Sequence, residues 1–319
     1  MFVAVLIPCY NEALTIGQVV RDFARHLPNA AIFVYDNNSR DDTVARARDA
    51  GAIVRFERLQ GKGNVVRRMF ADVDADVFVL VDGDGTYDAA SAPRLIAHLL
   101  DRSLDMVNAA RVAESDAAFR AGHRFGNRLL TGLVAWIFGD RLTDMLSGYR
   151  VFSRRFVKSF PALASGFEIE TELTVHALEL RLPIDELPTP YRQRPAGSAS
   201  KLHTVSDGMR IMQVIARLVK EERPLPFFAS GATALALGSL ALGAPVVVEF
   251  LHTGLVPRLP TAVLATGLMI LALLAMVCGL ILDTVTRGRR EIKRMHYLAV
   301  QPRPRMRTRS TDALDSDVV

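Results

Sequence analysis

Cysteine is scarce in this chain: 319 residues contain two, Cys9 and Cys278, far apart and set in different surroundings. No disulfide framework follows from them, and no Cys/His spacing resembles a zinc site. A catalytic body facing a reducing compartment is expected. Tryptophan occurs once, at Trp136. No G-x-S-x-G, G-x-x-x-x-G-K-[ST] or G-x-G-x-x-G is present, so nucleophile-elbow hydrolases, Walker-type nucleotide sites and dinucleotide folds lose their usual signatures. Internal repeats are absent too. The chain is nevertheless half hydrophobic, with 23% charged residues, which excludes collagenous, low-complexity and disordered classes.

The net charge of +5 is not spread evenly. Residues 1–223 hold 29 Lys/Arg against 28 Asp/Glu, while residues 284–319 hold 9 against 4. The basic excess thus follows the last apolar run. Near an anionic leaflet each such residue contributes about 1 kcal/mol, so lipid headgroups rather than nucleic acid are the expected partner.

Two runs lack charge entirely, Pro224 to Val248 and Leu259 to Leu282. Each exceeds the ~20 residues that cross about 30 Å of hydrocarbon. Core helices of that length normally keep a polar face, and a membrane hairpin with spans of about 225–248 and 259–282 is expected instead. Lys220 and Arg223 precede it and five basic residues from Arg287 to Arg294 follow, against Arg258 alone in the connection. The positive-inside rule puts both ends in the cytoplasm. Met1 opens a strand-like run rather than a signal peptide, which agrees with an unexported N-terminal region.

Within residues 1–223, β-rich runs (Phe2 to Ile7, Ala31 to Tyr35, Val77 to Val81) alternate with helical ones (Ala13 to Leu27, Asp42 to Ala50, Ala92 to Leu100). This predicts an α/β unit with a mostly parallel sheet between helices. Ligands of such sheets bind beyond the strands' carboxyl ends, where Pro8-Cys9-Tyr10-Asn11-Glu12, Asp36-Asn37-Asn38-Ser39 and Asp82-Gly83-Asp84 fall. Residues 204–219 predict an amphipathic helix at the membrane interface, and the basic tail, residues 284–319, is expected to be disordered.

Asp82 and Asp84 would repel each other unless a cation lay between them, and two carboxylates with phosphate oxygens suit Mg²⁺ or Mn²⁺. Gly83 and Gly85 leave room for a diphosphate. Gly61-Lys62-Gly63-Asn64 is either a surface turn or a source of a diphosphate ligand, Lys62.

Four motifs in order, Ile7 to Glu12, Asp36 to Thr43, Asp82-Gly83-Asp84 and Ser147-Gly148-Tyr149-Arg150, resemble family 2 glycosyltransferases with the GT-A fold. Within that family the similarity is to polyprenyl-phosphate glycosyltransferases of the dolichol-phosphate mannose synthase type. The resemblance implies an inverting, metal-dependent transfer of a sugar from a nucleotide diphosphate, UDP or GDP, to a polyprenyl phosphate at the cytoplasmic membrane face. It implies nucleotide contacts at Pro8, Tyr10, Glu12 and Asp36, and the neighbouring Asn38 and the diphosphate candidate Lys62 complete the expected nucleotide site. Metal and diphosphate ligands would be Asp82 and Asp84, with Asp144 near the reacting centre as a base or an orienting residue. Lipid-phosphate or diphosphate contacts fall at Arg111, Arg124, Arg194, Ser200 and Lys201. The chain departs from the pattern at Asn37 (usually Asp), Asn38 (usually Gly), Thr86 (often Gln), and in a Gly197 to Ser200 segment one residue longer. Pairing of hairpins between copies leaves a homo-oligomer open. Two other classes compete: a processive polysaccharide synthase, which would normally carry Q-x-x-R-W where this chain has only Ala135-Trp136, and a catalytically silent membrane scaffold.

Overall fold

A computed structural model describes residues 1–113, 131–132, 142–166, 168–194 and 219–301. Seven strands, Val3–Cys9 (β1), Ala31–Asp36 (β2), Ile53–Phe56 (β3), Val77–Leu80 (β4), Met106–Ala113 (β5), Arg150–Ser153 (β6) and Ile184–Tyr191 (β7), form one sheet in the order β3-β2-β1-β4-β6-β5-β7. All adjacent pairs are parallel except those made by β6, which runs against both β4 and β5. Helices Ile16–His26 (α1), Thr43–Asp49 (α2) and Ala92–Asp101 (α4) cover one face; Lys62–Asp72 (α3), Arg154–Ser159 (α5) and Ile169–Glu179 (α6) cover the other.

The strands read as continuous apolar runs because both faces are buried. Along β1, Val3, Val5 and Ile7 enter the core beneath α1, while Ala4 and Leu6 enter the core beneath α3. Each fully buried side chain of this kind contributes about 1.5–3 kcal/mol.

Topology decides where the loops meet. With β1, β2, β4, β5 and β7 all pointing the same way, their carboxyl ends share an edge. The reversed β6 begins at that edge, so the segment leading into it, Asp144 to Tyr149, joins them.

Beyond the sheet, Pro224–Thr253 (α7) and Leu259–Ala299 (α8) form an antiparallel pair, turned at Gly254 with φ of +67°. Buried positions recur every seven residues, at Ala232, Ser239 and Val246 on α7 and at Ala265, Ala272, Gly279 and Thr286 on α8. That is the seam of a left-handed pair with small side chains at the contact. The Ser239 hydroxyl donates to the Ala265 carbonyl at 2.7 Å. Only 11% and 17% of the most apolar windows of the two helices are buried, so they are not core helices of the α/β unit, and both are long and apolar enough to cross a membrane.

The structure corrects the expected disorder from residue 284. Helix α8 continues to Ala299 and docks on the α/β unit. Lys293 Nζ lies 2.6 Å from the fully buried Glu179, Arg289 and Arg290 pair with the buried Glu222 at 2.8 and 3.1 Å, and the Tyr297 hydroxyl donates to Asp105 at 2.7 Å. Basic charge expected at lipid headgroups is engaged here by buried carboxylates, which hold this stretch as an ordered helix. The interfacial helix at 204–219, apart from Val219, and residues 302–319 lie outside the described residues.

Candidate active site

Loops after β1 and β2 are tied to each other. Asn11 N donates to Ser39 Oγ and Arg40 N donates to Asn11 Oδ1, both at 2.8 Å, and Glu12 N donates to Thr43 Oγ1 at 2.9 Å. Asn11 and Asn38 hold φ of 53° and 66°, a left-handed region that asparagine tolerates far better than most residues. Asn38 therefore replaces glycine at little conformational cost. Asn37 has a purpose that aspartate could not serve: its amide donates to the carbonyls of Glu57 and Leu59 at 2.9 and 2.8 Å while its Oδ1 accepts from Gly61 N at 2.7 Å. Asp36 is 3% exposed. Its Oδ2 accepts from Ser39 N at 3.1 Å, and its Oδ1 is buried with no hydrogen-bond partner among the described residues. Pro8 and Tyr10 are partly exposed, Glu12 is buried and Asn38 is exposed along the same edge.

Asp82 and Asp84 follow β4. The Asp84 Oδ1 accepts from Thr86 N and Oγ1 at 3.1 and 2.6 Å, and its Oδ2 lies 2.6 Å from Arg194. Thr86 thus orients the aspartate. Asp82 keeps 28% of its side-chain surface and pairs with Lys62 Nζ at 2.5 Å. Burial pushes the Asp82 carboxyl up against the pull of Lys62, and Asp84 and Glu170 add to the rise. Gly83 does not face open space: a Cβ there would stand 2.6 Å from Cys9 Sγ, so its missing side chain makes room for the protein's own packing.

Gly61 to Asn64 is not a surface turn, since Lys62 opens α3. A Cβ on Gly61 or Gly63 would collide with the carbonyls of Ser165 or Ala164. The two glycines let α3 dock against the segment before α6, which carries Lys62 onto Glu170 as well as Asp82, each at 2.5 Å. Burial opposes the ammonium charge, but the two carboxylates hold Lys62 above the ordinary lysine range. Its charge is therefore engaged within the protein rather than presented on a loop.

Arg111, at the end of β5, grips Asp144 in a fork: Nε to Oδ2 at 2.6 Å and Nη2 to Oδ1 at 2.7 Å. Its guanidinium also lies 5.4 Å from the Tyr191 ring centre. Burial alone would raise Asp144, but the Arg111 hydrogen bonds and charge hold it below the usual carboxylate range. Because the folded value is depressed, this pair's contribution to stability is complete above about pH 3.8 and is lost as the pH falls further.

Three residues with no assigned role in the sequence hold this edge together. Glu186 on β7 accepts from Thr143 N at 2.7 Å, Asp144 N at 3.1 Å and Asn108 Nδ2 at 2.6 Å. Arg150, fully buried, donates to the carbonyls of Ser147 and Met145 at 3.1 and 2.6 Å and to Thr174 Oγ1 at 2.7 Å; burial lowers its pKa to about 10. Glu170 holds Lys62 at 2.5 Å. Their partners are 24 to 108 residues away in sequence for the long-range contacts of Arg150, Glu186 and Glu170, so no local spacing announces them. Arg124, Ser200 and Lys201 lie outside the described residues.

Gly148 sits directly against the Asp82 carboxylate, and its amide donates to the Tyr87 hydroxyl at 2.8 Å. A Cβ there would meet the carboxylate, so Gly148→Ala should displace Asp82. Transfer activity is expected to fall at least about tenfold, corresponding to ~1.4 kcal/mol. Unchanged kcat/KM for the variant would show that Asp82 is not held at this contact.

Two carboxylates from one strand end suit Mg²⁺ or Mn²⁺, which usually take one or two protein carboxylates plus substrate phosphates. Among the described residues no group of three or more His, Cys, Asp or Glu side chains is placed to hold a metal alone. The donor set therefore fits a cation that arrives with, or is completed by, a diphosphate.

This architecture is that of the GT-A glycosyltransferases. It superimposes on a crystal structure of glucosyl-3-phosphoglycerate synthase from Mycobacterium tuberculosis in complex with Mn²⁺, uridine diphosphate and phosphoglyceric acid, with a TM-score of 0.55 and 25% identity, covering 69% of this chain and 78% of that one. Residues 4–160 match the model of glycosyl transferase family 2. The glycosyltransferase AglJ of Haloferax volcanii is 33% identical over 299 residues, 93% of this chain and 98% of that protein. A dolichyl-phosphate hexose transferase of the same organism is 29% identical over 220 residues, 69% of this chain and 95% of that protein. The chain belongs to glycosyltransferase family 2, as the resemblance of its motifs implied.

Proposed function

We propose that this glycosyltransferase moves a sugar, with inversion, from a nucleoside diphosphate to a polyprenyl phosphate at the cytoplasmic face of a membrane. The observation that carries the acceptor assignment is α8. One helix runs from an apolar hairpin onto the α/β unit, where Lys293 meets Glu179, which supports a catalytic unit held at a membrane in which a lipid phosphate would lie. The names of the dolichyl-phosphate relative and of the uridine-diphosphate-bound neighbour support the acceptor and donor classes. Lys220 and Arg223 before the hairpin, and the basic residues after it, support an orientation with both ends cytoplasmic.

Asp36, with a buried oxygen lacking a partner among the described residues, is suited to accept from a ribose hydroxyl or base N–H, beside Pro8, Tyr10, Glu12 and Asn38. Asp82 and Asp84 would hold Mg²⁺ or Mn²⁺, which supplies a Lewis acid for the departing diphosphate. Arg194, already against Asp84, adds positive charge where that leaving group develops its own. On this reading Arg111 and Arg124 serve the acceptor phosphate, and Ser200 and Lys201 serve the diphosphate. A phosphomonoester has a second pKa of about 6 and is largely dianionic at neutral pH, so it needs little help from a base. Asp144, clamped through both oxygens, fits an orienting role better than proton abstraction.

Incubation of the membrane-embedded protein with radiolabelled sugar nucleotides and polyprenyl phosphate tests this reading. A labelled, mild-acid-sensitive lipid in the organic extract is expected with one donor of the panel. Label confined to water-soluble products would overturn the acceptor assignment, and label in an insoluble polymer would favour a processive synthase. Removal of residues 224–319 should reduce transfer to long prenyl phosphates at least tenfold more than transfer to short soluble analogues, a difference of about 1.4 kcal/mol. Equal losses on both would assign the hairpin to folding rather than to acceptor access.

A further inference from the structure

Lys62 carries one positive charge shared between two carboxylates. Its Nζ is 2.5 Å from Asp82 Oδ1 and 2.5 Å from Glu170 Oε1, and 9% of its side chain is exposed. Glu170 is 8% exposed, and its second oxygen, Oε2, is buried with no hydrogen-bond partner among the described residues. An unpartnered buried acceptor costs about 1–3 kcal/mol, and more when charged. Such an atom calls for a partner that another state of the molecule can supply.

The adjacent chemistry supplies that state. A divalent cation at Asp82 and Asp84 would repel an ammonium that stays on Asp82. Lys62 cannot move away with its backbone, because Gly61 and Gly63 lock the start of α3 against Ala164 and Ser165, and Gly63 N donates to the Gly166 carbonyl at 3.1 Å. Only its side chain can turn. The carboxylate within reach that is not a cation ligand is Glu170, at the start of α6 on the far side of the same contact.

We propose that Glu170 is a positioning residue for sugar transfer: it retains the Lys62 ammonium when a divalent cation takes Asp82, so that Lys62 changes partners and stays beside the donor diphosphate. In the protein alone Lys62 neutralises Asp82. With the cation in place Glu170 keeps Lys62 inside the site. The exchange rests on the metal assignment proposed above and is independent of the acceptor.

Mn²⁺ titration of the full chain in detergent, followed by electron paramagnetic resonance with and without UDP or GDP, tests the exchange apart from turnover. In Glu170→Gln the ammonium has Asp82 as its sole carboxylate, and Mn²⁺ should bind about tenfold more weakly. In Lys62→Met the competing cation is gone, and Mn²⁺ should bind at least as tightly as in the wild type even though transfer falls. Unchanged Mn²⁺ affinity in Glu170→Gln overturns the proposal, as does weaker binding in a folded Lys62→Met, which is what a purely structural role would produce. If Lys62→Met does not fold, Glu170→Gln decides alone. Equal Mn²⁺ binding by the wild type and Asp82→Asn would overturn the metal assignment itself and the exchange with it.

Discussion

Asp82→Asn and Asp84→Asn are each expected to lower sugar transfer about a thousandfold, the scale reached when a principal electrostatic group is removed from a developing charge. Both variants should remain folded. An asparagine at 84 keeps an oxygen for Thr86 and loses only the ion pair to Arg194, whose side chain is 34% exposed. An asparagine at 82 still offers Lys62 an acceptor. The loss should therefore appear in kcat/KM while the thermal midpoint shifts by only a few degrees. Chelation should reproduce it in the wild type, and readdition of Mn²⁺ should restore the wild type but neither variant. Full activity in chelator would remove the cation from the reaction.

Lys62→Met should cost more in stability than any other single change at the site. It leaves Asp82 and Glu170 facing each other without their shared cation, and removing one partner of a buried ion pair costs about 3–5 kcal/mol. The lower figure is the better expectation, because Asp82 retains 28% of its side-chain surface. The pH dependence has a definite sign. In the wild type the Lys62 value is raised, so its contribution is complete below about pH 10.5 and fades only above. Without Lys62 the Asp82 carboxyl loses the pull that opposes its upward shift, which favours its protonated form. The variant should thus regain stability as the pH falls from 8 to 5 and lose it as the pH rises. Denaturant midpoints across that range check the claim, and a variant as stable as the wild type at pH 8 would show that the three side chains are not packed as described.

The remaining expectations divide by how local their causes are. Strands β1, β2 and β4 were legible because a strand buried on both faces must be apolar throughout, and the acidic residues after them were legible because a polar edge must follow. The hairpin was legible for a similar reason, since hydrocarbon tolerates no charge over twenty residues. The short β3, with two exposed ends in Ile53 and Phe56, carries no such pattern. The helix that continues past residue 284 is not legible in its own stretch, because it depends on Glu179 and Glu222, residues that local spacing does not pair with it.

Sequence alone determined the family, the α/β alternation, the aspartates at the strand ends and the two apolar helices, because each is written in contiguous residues whose burial or chemistry acts locally. Tertiary structure decided the rest. It turned Lys62 from a loop cation into the shared partner of Asp82 and Glu170, closed Arg111 on Asp144, and ran α8 onto the α/β unit. Those pairings join residues up to 192 positions apart. A charge's role depends on which opposite charge the folded chain brings to it, and that distance is set by the reversed β6 and the docking of α3 and α8, not by spacing along the chain.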